Sequence, residues 1–381
     1  MDSLLNEKIQ DKYHVLFKSN PECVVFAPGR VNLIGEHTDY SEGFVFPVAI
    51  NMGISVAFSP SDDGQVKLYS LDFDDYLDQR ITDFTRGEDN WKEYVKGVAW
   101  ALNGSGFELK GFRGVFAGNL PIGAGLSSSA ALELAIAKAF CFVNDIEVSN
   151  TELAKICRRA EREWVGVNVG IMDQLISAKG KSGHALKLDC RTLQTEYLLI
   201  PKNICFVVMD TNTRRELSHS EYNTRHQEVE KAASILGVNY LRDATKKALE
   251  NNRDQMPPLI YRRAKHVITE NERVNAFGKA IRDSDLEKMG DLLNASHKSL
   301  RNDFEVSSRE LDTVVALSQI QVCCYGARMT GAGFGGCALA LVDEDKLDYF
   351  TKNVKEQYTE KTGIDPNIFK VESSDGVHAV N

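Results

Sequence analysis

The chain has no apolar run approaching the ~18 residues a membrane-spanning helix needs. Its longest clean stretch, ICFVVM from Ile204, has the length of a buried strand. It has no surplus of positive charge. Lys and Arg number 45 against 54 Asp and Glu, a net charge of −9, which argues against a nucleic-acid or anionic-membrane surface. The local basic patch YRRAKH from Tyr261 reads as a solvated helix face. Metal-like or paired cysteine spacing is also missing. The eight cysteines are scattered, with no C-x-x-C, and the adjacent Cys323 and Cys324 cannot bridge without strain. Reduced thiols in a cytoplasmic protein are the expectation. The opening residues, MDSLLNEKIQDKYHVLF, are amphipathic and lack a signal-peptide core. No internal repeat, low-complexity tract or Pro/Gly/Ser linker is found.

What remains is an ordinary globular composition, 43% hydrophobic and 26% charged, in 381 residues. That length is too great for one core, so two intimately packed domains are expected, 1–200 and 201–381. VVFAPGRVNLIG reads as strand, turn, strand, and VFPVAINMGISVAFS as further strand. The acidic residues 61–90 suggest exposed hairpins and loops. WKEYVKGVAWAL has helical apolar spacing at Trp91, Tyr94, Val95, Val98, Ala99 and Leu102. FRGVFAGNL predicts a strand, Ala130 to Phe142 a buried helix, Ala185 to Asp210 a strand-rich region, and about Glu216 to Leu300 charged helices. ELDTVVALSQI predicts another helix, and MTGAGFGGCALALV a glycine-rich turn feeding a strand. Strands and helices mix without regular βαβ alternation, which favours α+β over a doubly wound sheet.

Three segments carry chemistry. LPIGAGLSSSAALELAIAKAF, from Leu120, looks like a phosphate loop, yet it lacks the lysine of G-x-x-x-x-G-K-[ST]. A strand turning through glycines into a helix offers free backbone N–H groups and about half a positive charge from the helix dipole, so lysine is dispensable. A plain helix N-terminus capped by Ser127 explains the same letters. APGRVNLIGEHTDY gathers Arg30, Glu36, His37 and Asp39 on a tight turn, which suits a polyhydroxy ligand. A surface turn with Arg30 paired to a carboxylate is the alternative, and no partner ligands stand at metal spacing. MTGAGFGGC alone is weak. In GIMDQLISAKGKSGHALKLDC, Asp173 sits among apolar neighbours as a partly buried carboxylate, and the GKS at Gly180 fails as a Walker ending because Leu175 stands where glycine is required.

Together GRVNLIGEHTDYSEGFVFP, LPIGAGLSSSAALE and MTGAGFGGC, with GIMDQLIS, GHALKLDCR and SEYNTRHQE in order, resemble the GHMP-type small-molecule kinases and, within them, the galactokinase family. The resemblance runs from about Val24 to the C-terminal region. It implies a two-domain α+β fold with the active site in the interdomain cleft. The implied reaction moves the ATP γ-phosphoryl group to the anomeric hydroxyl of α-D-galactose, the first phosphorylation of galactose catabolism, giving galactose 1-phosphate and ADP. The resemblance puts Glu36, His37 and Asp39 on sugar hydroxyls, with Gly170 and Tyr222 lining the sugar site. It puts Gly123, Gly125, Ser128 and Ser129 around the ATP phosphates, Trp91 near the adenine, and Ser129 and Glu161 in the Mg²⁺ environment. Asp173 falls at the base position, with Arg30 beside it to stabilise the transferring group. The implied partners are galactose and ATP, with no nucleic acid or membrane, in a monomer or homodimer. An N-acetylgalactosamine kinase and a galactose- and ATP-binding regulator without turnover share these motifs, although the intact loop and Asp173 favour turnover. Ser41 replaces a common Asn, and Ala124 and Ala332 replace glycines between glycines that remain, so the loop paths are expected to survive.

Overall fold

The computed structural model describes residues 3–88, 90–121, 123–214 and 218–380. Its first sheet runs His378–Ala379, Cys23–Asn32, Pro47–Ser61, Gly111–Gly118, Gln65–Ser70, Asp75–Arg80, antiparallel except where Gln65–Ser70 lies parallel to Gly111–Gly118. A second, fully antiparallel sheet runs Cys324–Met329, Cys337–Asp343, Ile204–Asp210, Asn367–Val371. Phe44–Val45, His184–Asp189 and Thr195–Leu199 form a small third sheet. The molecule is α+β, as the irregular mixing of elements predicts.

The apolar stretch from Ile204 explains itself here. Every residue of the strand Ile204–Asp210 is buried. Phe206 and Val208 belong to the core under the first sheet, whereas Cys205, Val207 and Met209 belong to the core packed by the C-terminal helices. A strand with a core on each face has no reason to alternate apolar with polar residues.

Helix Trp91–Gly104 begins at the predicted residue, capped by the Asn90 side chain on the Lys92 N–H. Helix Ser128–Val143 encloses the predicted buried helix, and its residues 130–137 are buried throughout. The region predicted as charged helices contains Ser218–Ile235, Pro258–Arg282 and Leu286–Ser299. Residues 61–90 include the hairpin Gln65–Ser70 with Asp75–Arg80 on the outer flank of the first sheet. No helix among the described residues is long and apolar enough to cross a membrane.

Candidate active site

Strand Cys23–Asn32 shifts register between Pro28 and Arg30. Such a bulge bends the strand and re-aims the side chain that follows. It lets the Arg30 N–H donate to the Leu126 carbonyl at 3.0 Å, fastening the strand to the glycine loop. The Arg30 side chain, 5% exposed, then forks onto Asp173 in the first turn of helix Met172–Lys179. Nε donates to Oδ1 at 2.8 Å and Nη2 to Oδ2 at 2.7 Å, while Nη1 donates to the Gly125 carbonyl at 2.6 Å. A bidentate charge-assisted pair of this kind fixes orientation as well as charge.

Ser127 differs from its simplest reading. It occupies the N-cap position with φ 62° but makes no side-chain cap. Its hydroxyl donates instead to Asp173 Oδ2 at 2.5 Å. Asp173 Oδ2 therefore takes two donors and Oδ1 one, which leaves Oδ1 an acceptor site.

The seven residues assigned to the sugar, Arg30, Glu36, His37, Asp39, Gly170, Asp173 and Tyr222, line one small pocket, together with Gly331 and Ala332 of the third glycine-rich turn. Their polar atoms are not equally free. Glu36, 2% exposed, accepts from the Gly331 N–H at 2.7 Å, the Thr330 hydroxyl at 3.3 Å and the Asn32 amide, and pairs with Arg328 at 2.9 Å. Burial pushes its carboxyl upward and the Arg328 charge pulls it back. His37 stands at φ 61°. Its Nε2 lies 3.1 Å from the Ala332 carbonyl, which can only accept, so Nε2 carries the proton. Burial, and then the neighbouring His266, lower the His37 pKa to about 3; the ring is neutral and Nδ1 accepts from the Tyr40 hydroxyl at 3.1 Å.

Asp39 is the less committed carboxylate. Burial and then the charge of Asp173 raise its pKa to about 6, and the Tyr40 N–H is the hydrogen-bond donor that opposes the rise. Gly170 makes its place possible, since a Cβ on residue 170 would come 1.8 Å from Asp39 Oδ2. Tyr222 closes the wall, its ring 5.6 Å from His37 and 5.5 Å from Tyr40.

Behind the glycine loop lies a larger cavity of about 770 Å³, lined by Trp91, Tyr94, Phe116, Ser128 and Ser129 among others. Trp91 is 7% exposed, packs on Phe116 at 5.1 Å and donates its indole N–H to Asp75 at 3.2 Å. It is core and cavity wall at once. Gly123 and Gly125, at φ 68° and 77°, form the turn ahead of helix Ser128–Val143. The positive angles of the two glycine turns fall on Gly123, Gly125, Ser127, Gly331, Gly333, Phe334, Gly335 and Gly336, not on Ala124 or Ala332. The two alanines sit where an ordinary residue fits.

At the start of that helix, the Ser129 hydroxyl hydrogen-bonds buried Glu161, whose carboxyl is pushed up first by burial and then by the charge of Asp173. Gln174 donates from one amide nitrogen to Glu161 at 2.5 Å and to Glu133 at 3.1 Å. Sequence reasoning passed over Gln174 and Glu133 and read Ser127 only as a cap. The available signals were an amide directly after Asp173 and a carboxylate within the buried run 130–137. No group of three or more His, Cys, Asp or Glu among the described residues is placed to hold a metal.

Comparisons with known proteins point to one family. Residues 11–60 match the galactokinase galactose-binding signature, 93–181 the GHMP kinases N terminal domain and 278–360 the GHMP kinases C terminal model. The chain is 39% identical to a galactokinase of Actinobacillus succinogenes, covering 98% of this chain and 100% of that one. It is 40% identical to one from a Roseiflexus species, covering 99% and 96%. The structure of Lactococcus lactis galactokinase complexed with galactose superposes with a TM-score of 0.95 at 36% identity, over 99% of this chain and 100% of that one. Methanococcus jannaschii mevalonate kinase, 20% identical over 92% of this chain and 98% of its own, shares the fold with a TM-score of 0.65. The chain belongs to the galactokinase family, ATP-dependent sugar kinases with the two-domain GHMP fold.

Proposed function

We propose that the protein transfers the γ-phosphoryl group of ATP to the anomeric hydroxyl of α-D-galactose, giving galactose 1-phosphate and ADP. The observation that carries this reading is Asp173, clamped by Arg30 and Ser127 at the junction of the small polar pocket and the glycine loop. Asp39 and Asp173 accept hydrogen bonds from sugar hydroxyls, with Glu36 and His37 as rigid wall. The acceptor oxygen bonds to the γ-phosphorus as the bond to the bridging oxygen of ADP breaks, and the hydroxyl proton passes to Asp173 Oδ1. A loose phosphoryl-transfer transition state asks mainly for alignment and charge stabilisation. The fixed Arg30 guanidinium provides the latter beside the transferring group.

ATP fits the arrangement of loop and cavity, with its phosphates on the N-terminus of helix Ser128–Val143 and its base against the aromatic wall at Trp91. Ser129 and Glu161 are the pair suited to Mg²⁺. A buried carboxylate pushed toward protonation gains most from a neighbouring cation, and a serine hydroxyl beside it is a second oxygen donor. Bound there, Mg²⁺ would supply charge neutralisation of the phosphate oxygens. The domain boundary near residue 200 is part of the same proposal, supported by the second sheet's earliest strand starting at Ile204.

The test is Mg²⁺-dependent ADP formation with galactose, N-acetylgalactosamine, glucose and mevalonate offered separately. Turnover with galactose and release of a sugar 1-phosphate is the expected result. Turnover with N-acetylgalactosamine in preference would reassign the substrate, and saturable galactose binding without ADP formation would make the protein a regulator.

A further inference from the structure

Arg328 is the penultimate residue of strand Cys324–Met329, two positions before Thr330 and the third glycine-rich turn. Its side chain is wholly buried. One nitrogen, Nη1, donates to the Leu33 carbonyl at 2.8 Å and the Asn32 carbonyl at 3.3 Å and pairs with Glu36 at 2.9 Å. The other two, Nε and Nη2, have no protein hydrogen-bond partner among the described residues, and Nη2 lies 4.0 Å from Glu270. Burying a guanidinium carries a desolvation cost that its partners must offset.

Neighbouring bonds indicate what is gained. The Gly35 N–H donates to Glu270 at 3.0 Å, the Glu36 carbonyl accepts from His266 at 3.1 Å, and the His37 ring meets the Ala332 carbonyl. Thr330 bonds both Glu36 and the Asn32 carbonyl. The backbone and side chains of residues 35–37 are thus gripped by residues 266–332, from the other half of the chain. Glu36 is the joint, with Arg328 on one side and the Gly331 N–H on the other.

We propose that Arg328 is a positioning residue for the acceptor sugar. Through Glu36 and Thr330 it sets the distance between the Glu36–Asp39 turn and the third glycine-rich turn, the two walls of the small pocket, and so tunes sugar binding without touching the sugar. This rests on the reading of that pocket as the galactose site. The nucleotide cavity is lined by other elements and meets the third glycine-rich turn only where that turn packs on Gly125 and Ala124, so the effect on ATP is the smaller one.

The experiment measures KM for galactose and for ATP, with galactose affinity by calorimetry, in wild type, Arg328→Lys and Thr330→Val, after circular dichroism has established which variants fold. Lysine keeps the charge, but its Nζ falls one bond short of the Nη1 position that serves Leu33, Asn32 and Glu36. The expected result for Arg328→Lys is a rise of about tenfold in galactose KM and Kd with ATP KM changed by less than about threefold, and for Thr330→Val a rise in galactose KM of about threefold or more. If Arg328→Lys does not fold, Thr330→Val alone decides. A smaller rise than about threefold in every variant that folds, or an equal rise for ATP, overturns the proposal. A protein that is merely destabilised loses active fraction and leaves KM where it was. Wild-type protein that neither binds nor turns over galactose defeats the reading of the pocket instead, independently of Arg328.

Discussion

At Gly170 the pocket has no room for a single methyl group. The missing Cβ would overlap Asp39 Oδ2 at 1.8 Å, so Gly170→Ala must displace either the Asp39 carboxylate or helix Met172–Lys179 with Asp173. We expect galactose KM to rise at least ~100-fold, with folding retained; a KM within threefold of wild type, measured by steady-state kinetics, would contradict the packing. Asp39 offers a second test, through pH. Its pKa is raised from the ordinary 3.8 to about 6, so between these values the folded protein holds a proton that the unfolded chain has released. Folding stability from this group therefore falls as pH rises from about 4 to 6 and stays lowered above. Asp39→Asn removes the penalty. The variant should unfold at higher temperature than wild type at pH 8, with the gain shrinking toward pH 4, while galactose binding weakens. Equal unfolding temperatures at pH 8 would mean that Asp39 is better solvated than its setting indicates. The motifs that carry the family resemblance already imply Asp39 and Asp173 as sugar ligand and base. They cannot say which polar atoms are spent, because Glu36 and His37 are satisfied by residues some 295 positions away.

Among the elements, the two glycine turns separate conformation from space. Gly125 has φ 77° and nothing nearer to a Cβ than the Thr330 carbonyl at 3.8 Å, so alanine there pays only for the left-handed backbone, ~1–2 kcal/mol. Gly333 has φ 83° and would also drive a Cβ to 2.2 Å from the Val306 carbonyl. Thermal unfolding should rank the variants Ala332→Gly close to wild type, Gly125→Ala modestly lower, and Gly333→Ala lowest. Any other order would argue against these loop paths. Much of this level is legible in the letters. The spacing from Trp91 marks a helix, and the apolar letters from Ala130 mark a buried one. The turn of Ser127 is not legible, since a serine before a helix ordinarily caps it. Only the fold brings Asp173, 46 positions on, close enough to take the hydroxyl instead.

For the molecule as a whole, the proposed division near residue 200 hides a return of the chain. His378–Ala379 pairs with Cys23–Asn32 at the edge of the first sheet, Val377 is buried, and its N–H donates to the Ser177 carbonyl at 2.8 Å in the helix that carries Asp173. The C-terminal segment therefore braces the N-terminal site. Deletion from residue 374 onward should cost ~3 kcal/mol or more and lower the unfolding temperature by at least about 5 °C. A truncated protein that melts with wild type would show the brace to be dispensable. No short-range pattern could announce this, because two residues of strand carry no periodicity. The most direct measurement of the central claim compares wild type with Asp173→Asn in galactose 1-phosphate formation, with galactose affinity measured by calorimetry on both. The structure predicts a kcat lower by ~10²–10⁴ with galactose affinity within about tenfold. Turnover within about tenfold of wild type at unchanged affinity would contradict Asp173 as the group that receives the proton.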